Sequence, residues 1–238
     1  MTRRQLLILH GVNGCKTEVQ PWGDALSERF EVTLMNLAGH GGREIPSELT
    51  MARYADDLLL QMDRLQLHNP VILGYSFGGV AALYLAVHHP QRVSAIVTVA
   101  TRWIYSPSAV RHAMHLLQVS RLSSLPHRRE HLTRIHYPSN WKTLAQRLCA
   151  MYASFEQQPP VTREELLTIA HPCLVLSGSS DPITSADETI ALHRSLPGSE
   201  IAMYSGQAHP PEVVPVRALA RAVTAWADRH LVEAGGPQ

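Results

Sequence analysis

A serine stands between glycines in Gly74-Tyr75-Ser76-Phe77-Gly78-Gly79, directly after the apolar run Val71-Ile72-Leu73. A helical pattern with Val80, Leu83, Tyr84 and Val87 on one face follows it. The spacing predicts a sharp strand-to-helix turn centred on Ser76. Such a turn strains its central residue and crowds the positions two before and two after, unless they lack a Cβ. Gly74 and Gly78 meet that need, and Gly79 lets the helix approach the sheet. The hydroxyl of Ser76 would then project above the sheet, with the Phe77 amide at the first helical turn facing any developing negative charge.

A hydroxyl is a weak nucleophile near neutral pH. An imidazole must take its proton, and a carboxylate must orient that imidazole and stabilise its charged form. Two loops after apolar runs offer these groups. Leu174-Val175-Leu176 leads into Ser177-Gly178-Ser179-Ser180-Asp181-Pro182, and the run 201–204 leads into Ser205-Gly206-Gln207-Ala208-His209-Pro210. His209 is therefore assigned as base and Asp181 as orienting acid, in the chain order serine, acid, histidine. Asp187 is the rival acid, but it falls in the expected first turn of the next helix. A tetrahedral oxyanion needs two donors. Phe77 supplies one amide, and Val12, in the loop His10-Gly11-Val12 after the first apolar run, supplies the other. His10 reads as a brace for that loop; Asn13 either donates as well or forms its turn.

These groups must be carried by strands and helices that bring them to one edge. Apolar runs at 6–10, 31–37, 71–73 and 93–100 alternate with helical patterns from 21 to about 29, 51–67 and after Ser76. That alternation predicts an α/β fold with a mostly parallel sheet flanked by helices. The rhythm breaks at Thr101. Residues 103–169 read as helices punctuated by Pro107, Pro126, Pro138 and Pro159-Pro160. Strands at 173–177 and 201–204 and helices at 185–196 and 216–230 then resume, and the tail 233–238 is expected to fray. Residues 1–102 and 170–238 thus form the core and 103–169 a helical cap. Trp103, Tyr105, Met114, Leu117, Trp141, Met151 and Tyr152 are the cap's candidate pocket residues, each also readable as ordinary packing.

The composition narrows the chemistry. With 45% apolar residues, 17% charged and a net charge of +1, the chain matches neither disorder nor electrostatic binding to nucleic acid. Cys15, Cys149 and Cys173 are odd in number and form no Cys-x-x-Cys pair, which points to a reducing cytoplasm without disulfides. Cys15 reads as a bland loop thiol or a reactive one near the site. The start, TRRQLLILHG, resembles a twin-arginine leader, but its apolar run spans only five residues and reads as a strand. No stretch is long and apolar enough for a membrane span. His112 with His115, and His127 with His131, are expected on a solvated surface, so no metal is expected, and the glycine-rich loop 38–43 lacks phosphate-loop spacing. No cofactor is expected, and nothing in the pattern specifies an oligomeric state.

The pieces LLILHG, NLAGHGG, GYSFGG, VTVA, LSGSSDP and GQAHP, in this order, resemble the α/β-hydrolase superfamily from residue 6 to about 231. The resemblance implies that the insertion is a lid. Within the superfamily the chain is similar to the carboxylesterase branch that includes pimeloyl-carrier-protein methyl ester esterases, and to the menaquinone-pathway lyases. Two departures stand out. Only five residues precede Leu6, which predicts a reduced sheet of about six strands with 31–37 at its edge. Val80 occupies the position where lyase-like relatives tend to place an arginine, a role left to Arg102, Arg111, Arg128, Arg129 or Arg134. The expected activity is serine hydrolysis of a small-molecule or acyl-carrier-bound carboxylic ester. The same triad could instead serve carbon–carbon hydrolysis or elimination of a small acid, or persist in a slow-turnover ligand receptor.

Overall fold

The computed structural model describes residues 3–231. Strands β1 (Arg4–Leu9), β2 (Phe30–Met35), β3 (Val71–Tyr75), β4 (Ala95–Val99), β5 (Cys173–Gly178) and β6 (Glu200–Tyr204) form one sheet in the order β2-β1-β3-β4-β5-β6. Every neighbouring pair is parallel. This is the six-stranded parallel sheet expected, with β2 on one edge.

A parallel sheet covered on both faces has strands that are apolar throughout, and Leu6, Leu7, Ile8 and Leu9 are all fully buried. Leu7 and Leu9 join Ile72 and Ile96 under α2 (Met51–Arg64), α3 (Phe77–His88) and α9 (Ala186–Ser195). Leu6 and Ile8 face the other layer with Leu73 and Val97, under α1 (Gln20–Leu26) and α10 (Val216–His230). Trp22 and Trp226 are the large side chains of that second layer. The chain runs outward from β1 to β2 and returns on the far side of β1 at β3. Connections leaving β1 and β3 therefore diverge, and a crevice opens between them at the carboxyl edge. Val12 and Ser76 lie on those two connections.

Between β4 and β5 come only helices: α4 (Pro107–Leu117), α5 (Val119–Ser124), α6 (Pro126–His136), α7 (Trp141–Ser154) and α8 (Arg163–Leu166). Proline opens α4 and α6 at the first helical position, where its missing N–H has no intrahelical acceptor to lose. Ser106, Asn140 and Thr162 cap α4, α7 and α8 by accepting backbone N–H groups. Leu122, Leu132, Trp141 and Ala145 form a small apolar cluster within this segment. Val110, Leu117, Leu144 and Leu148 tie α4 and α7 to the main core.

Several boundaries differ from the sequence expectation. Helix α1 ends at Leu26 rather than near 29, because the Ser27 and Arg29 amides turn back to Asp24 and Leu26 carbonyls. Strand β2 ends at Met35 rather than 37, since the Leu37 amide is taken by the His10 ring. Helix α2 ends at Arg64 because Gln66 adopts φ 56° and the Leu67 amide reaches back 2.8 Å to the Met62 carbonyl. Strand β4 stops before Ala100, whose φ is 51°. The tail 233–238 lies outside the described residues.

Candidate active site

Strand β3 stays in the ladder until the Ser76 amide donates to the Val99 carbonyl at 2.8 Å. Ser76 then turns at φ 50° and ψ −114°, a conformation that costs a residue with a Cβ. Helix α3 begins at the next residue. The turn closes only because its neighbours are bare. A Cβ on Gly74 would lie 2.3 Å from the Gly78 carbonyl oxygen, and one on Gly78 would lie 2.5 Å from the Leu9 carbonyl oxygen. Gly78 thus lets the amino end of α3 press against the end of β1, which draws the Gly11–Val12 loop toward Phe77.

At the other side, the loops after β5 and β6 are zipped together. Ser179 and Ser180 amides donate to the Tyr204 and Gln207 carbonyls at 2.9 and 3.1 Å, and the Gly206 amide donates to Ser179 Oγ at 2.9 Å. Asp181 Oδ1 accepts the Ile183 and Thr184 amides at 2.8 and 2.9 Å. Its Oδ2 lies 2.7 Å from His209 Nδ1, and His209 Nε2 lies 3.1 Å from Ser76 Oγ. The carboxylate keeps the imidazole proton on Nδ1, so Nε2 is left to accept from the serine hydroxyl. The Asp181 side chain is 0% exposed and that of His209 11%, so the anchor is sealed while the ring reaches the cavity. Tyr75 adds a brace by donating its hydroxyl to the His209 carbonyl at 2.9 Å. Burial pushes its phenol well above the ordinary value, so it remains a donor throughout the neutral range. The structure thus brings Ser76, Asp181 and His209 together, while Asp187 lies in the first turn of α9 behind the N-cap Ser185.

Three buried histidines hold the loop that follows β1. His10 Nε2 accepts the Leu37 amide at 3.1 Å, and its Nδ1–H donates to the Gly11 carbonyl at 2.7 Å. His40 Nε2 accepts the Asn13 amide at 3.1 Å and its Nδ1–H donates to the Ala38 carbonyl at 2.9 Å. His136, from α6, accepts the Gly41 amide on Nδ1 at 3.1 Å and donates from Nε2 to the Asn13 carbonyl at 3.4 Å. Each ring accepts one backbone N–H and is therefore neutral. Burial lowers His10 and His136 to about 4, and pushes His40 well below its ordinary 6.5. The bracing role read for His10 is met. Asn13 takes the turn role, with φ 56° and its amide spent on His40. His40 and His136 escaped the sequence reading, because only tertiary contact makes them a set.

The model of the family described as alpha/beta hydrolase fold matches residues 5–132, a little over half of the chain. The chain belongs to this family. A second family, described as TAP-like protein, matches residues 137–228. Among curated relatives, the candidate carbamate hydrolase RutD of Caulobacter vibrioides is 30% identical over 145 residues, covering 58% of this chain and 52% of that protein. The chain thus spans about half the length of the RutD relatives it matches. The pimeloyl-[acyl-carrier protein] methyl ester esterase of Vibrio cholerae is 26% identical, with 95% of both chains covered. Among solved structures, a thermophilic esterase from Thermogutta terrifontis superposes with a TM-score of 0.78 at 22% identity, over 96% of this chain and 91% of that one. That likeness is one of fold.

The site opens beneath the helices between β4 and β5, into a cavity of about 860 Å³. Ser76, Phe77, Val80 and Val12 line its base; Tyr105, Leu117, Leu122 and Tyr152 are among its walls. Tyr105 and Tyr152 are therefore where the sequence reading put them. Trp103, Met114 and Trp141 are not cavity residues. The Trp103 ring turns to α9, with its indole N–H donating to the Glu188 carbonyl. Met114 packs against the main core, whereas Ala113, Leu116 and Leu117 of the same helix reach the cavity. Trp141 sits in the small cap cluster, its indole donating to Thr133 Oγ1 at 3.1 Å. Met151 is likewise buried in the core. His112 and His127 are exposed, as read, and also border the cavity; His131, read as a surface residue, is half-buried in its lining, with Nε2 2.9 Å from Glu18 Oε1. Of the arginines singled out in the sequence, Arg102 and Arg128 reach the cavity; Arg121, which was not, does so as well. Their positions on α5 and α6 leave a signal at helical spacing, but it does not say which face turns inward. Cys15 is buried with its Sγ 2.9 Å from Thr17 Oγ1, the bland alternative. Among the described residues no helix is long and apolar enough to cross a membrane.

Proposed function

We propose that the protein is a serine hydrolase that cleaves a carboxylic ester through an acyl-serine intermediate. The observation that carries this reading is the continuous relay from Asp181 Oδ2 through His209 to Ser76 Oγ, at 2.7 and 3.1 Å. Ser76 Oγ attacks the ester carbonyl as its proton passes to His209 Nε2. The amides of Val12 and Phe77 stabilise the oxyanion; both residues line the cavity beside Ser76, and Phe77 is the first residue of α3. His209 then gives its proton to the departing alkoxide, which leaves as the alcohol. Water attacks the acyl-serine, its proton goes to His209, and collapse of the second tetrahedral species returns the proton to Ser76 and frees the acid. The ester chemistry named for the Vibrio cholerae relative agrees with this route.

Fluorophosphonate labelling followed by intact mass and peptide mapping tests the nucleophile, with p-nitrophenyl esters of graded chain length assayed in parallel. One adduct on Ser76 together with ester turnover is the expected result. Full activity in Ser76→Ala would end the proposal. Labelling without turnover of any ester would move the same triad to carbon–carbon hydrolysis, elimination or ligand sensing.

A further inference from the structure

The cavity has a distinct electrostatic side. Arg121 of α5 and Arg128 of α6 both line it, from consecutive cap helices. Among the described residues, neither guanidinium donates a hydrogen bond or forms an ion pair. The other charged groups of the lining are already engaged, with one exception. Arg102 pairs with Glu188 and donates to the Ile183 carbonyl. Glu18 is held by His131 and by the Cys15 amide. The exception is Glu212, exposed on the His209 loop of the core, to which neither arginine bonds. Two free cations thus converge on one cavity in a chain whose net charge is only +1. Arg128 and Leu125 are exposed and Arg121 is half-buried, so the cations stand at the open side of the cavity, while the buried Leu117, Leu122 and Val80 give the lining an apolar part.

We propose that Arg121 and Arg128 select an ester that carries a second, anionic group, a carboxylate joined to the scissile ester by an apolar spacer. A guanidinium fork matches a carboxylate in two parallel hydrogen bonds, and the apolar lining formed by Leu117, Leu122 and Val80 suits the spacer. The proposal rests on the hydrolase reading for its reaction, but its binding step does not need turnover.

Two matched pairs test it. Mono-p-nitrophenyl adipate against p-nitrophenyl hexanoate puts the carboxylate on the acyl side, and 6-acetoxyhexanoate against hexyl acetate puts it on the alcohol side. In at least one pair the anionic ester should have kcat/KM about tenfold or more above the neutral one, with the gap narrowing as salt rises. Arg121→Gln or Arg128→Gln should reduce the anionic rate about 5- to 30-fold, chiefly through KM, and leave the neutral ester within about twofold; Arg128→Lys should recover part of the loss. Equal or neutral-favouring rates in both pairs, or a preference that survives both Gln variants, would overturn it. If no ester is turned over, the hydrolase reading fails by itself. Calorimetry on Ser76→Ala with monomethyl adipate and dimethyl adipate then decides the anion site: tighter binding of the monoester, lost in Arg121→Gln and Arg128→Gln, upholds it, and equal binding refutes it.

Discussion

Lowering the pH from 8 to 5 should destabilise the fold by about 2 kcal/mol at His10 alone. His10 is 0% exposed, and its Nε2 already accepts the Leu37 amide, so a second ring proton would meet another donor inside the protein. Burial therefore lowers its pKa from 6.5 to about 4. The unfolded chain binds the proton near 6.5 and the folded chain resists it until about 4. The stability that His10 contributes is complete above the unfolded value and is lost as the pH falls through this window. The limit, reached below the folded value, is about 3 kcal/mol at about 1.36 kcal/mol per pH unit. Urea unfolding between pH 8 and 4.5 should be followed in the wild type and in His10→Gln, whose side-chain oxygen can still accept the Leu37 amide. The variant should be the less stable protein at pH 8, having lost the imidazole's packing and its bond to Gly11. It should also lose stability more slowly on acidification, so that the gap narrows by about 2 kcal/mol by pH 5. His136 titrates in both proteins, whereas His40, whose value His10 helps to lower, resists protonation less in the variant, which narrows the gap further. Parallel curves for the two proteins would refute the reasoning.

Gly78→Ala puts a Cβ 2.5 Å from the Leu9 carbonyl oxygen, so α3 and β1 must separate. A loss of about 1–3 kcal/mol in urea unfolding is expected, with kcat for p-nitrophenyl acetate falling while the circular dichroism spectrum is kept. Asp181→Asn keeps an oxygen for the Ile183 and Thr184 amides but loses the carboxylate that holds the His209 proton on Nδ1. Its kcat should fall about 10³–10⁴-fold with little change in melting temperature, and a loss below tenfold would count against the assigned acid. Trp141→Ala empties the small cluster whose Leu122 also lines the cavity, so it should destabilise by about 3–5 kcal/mol and disturb KM more than kcat.

Much of the reaction centre was legible because it is locally encoded. The bare positions around Ser76 are needed within one turn of chain. Asp181 and His209 follow apolar strands, and a parallel sheet gathers every such strand end at one edge. The parallel sheet also followed from alternation, since covered parallel strands must be apolar throughout, as Leu6 to Leu9 are. Even the Asp181–Asp187 choice came from position, Asp187 lying where a helix begins.

Tertiary structure decided what lies across from these groups. Successive residues of a helix point about 100° apart, and packing partners set its rotation, so α4 turns Ala113 and Leu116 to the cavity and Met114 to the core. For the same reason Trp141 found partners elsewhere, while Arg121, His112, His127 and His131 came to line the cavity; Trp103 lies in the segment before α4 and is held by Glu188 of α9. His10, His40 and His136 are distant in sequence yet grip one loop, because each needs a backbone N–H that only the folded chain presents to it. The sequence by itself determined the nucleophile turn, the order of its partners and the sheet beneath them, all of them consequences of short-range backbone geometry. The cavity's shape and charge were decided only where separate helices meet, since helix rotation is set by packing rather than by propensity.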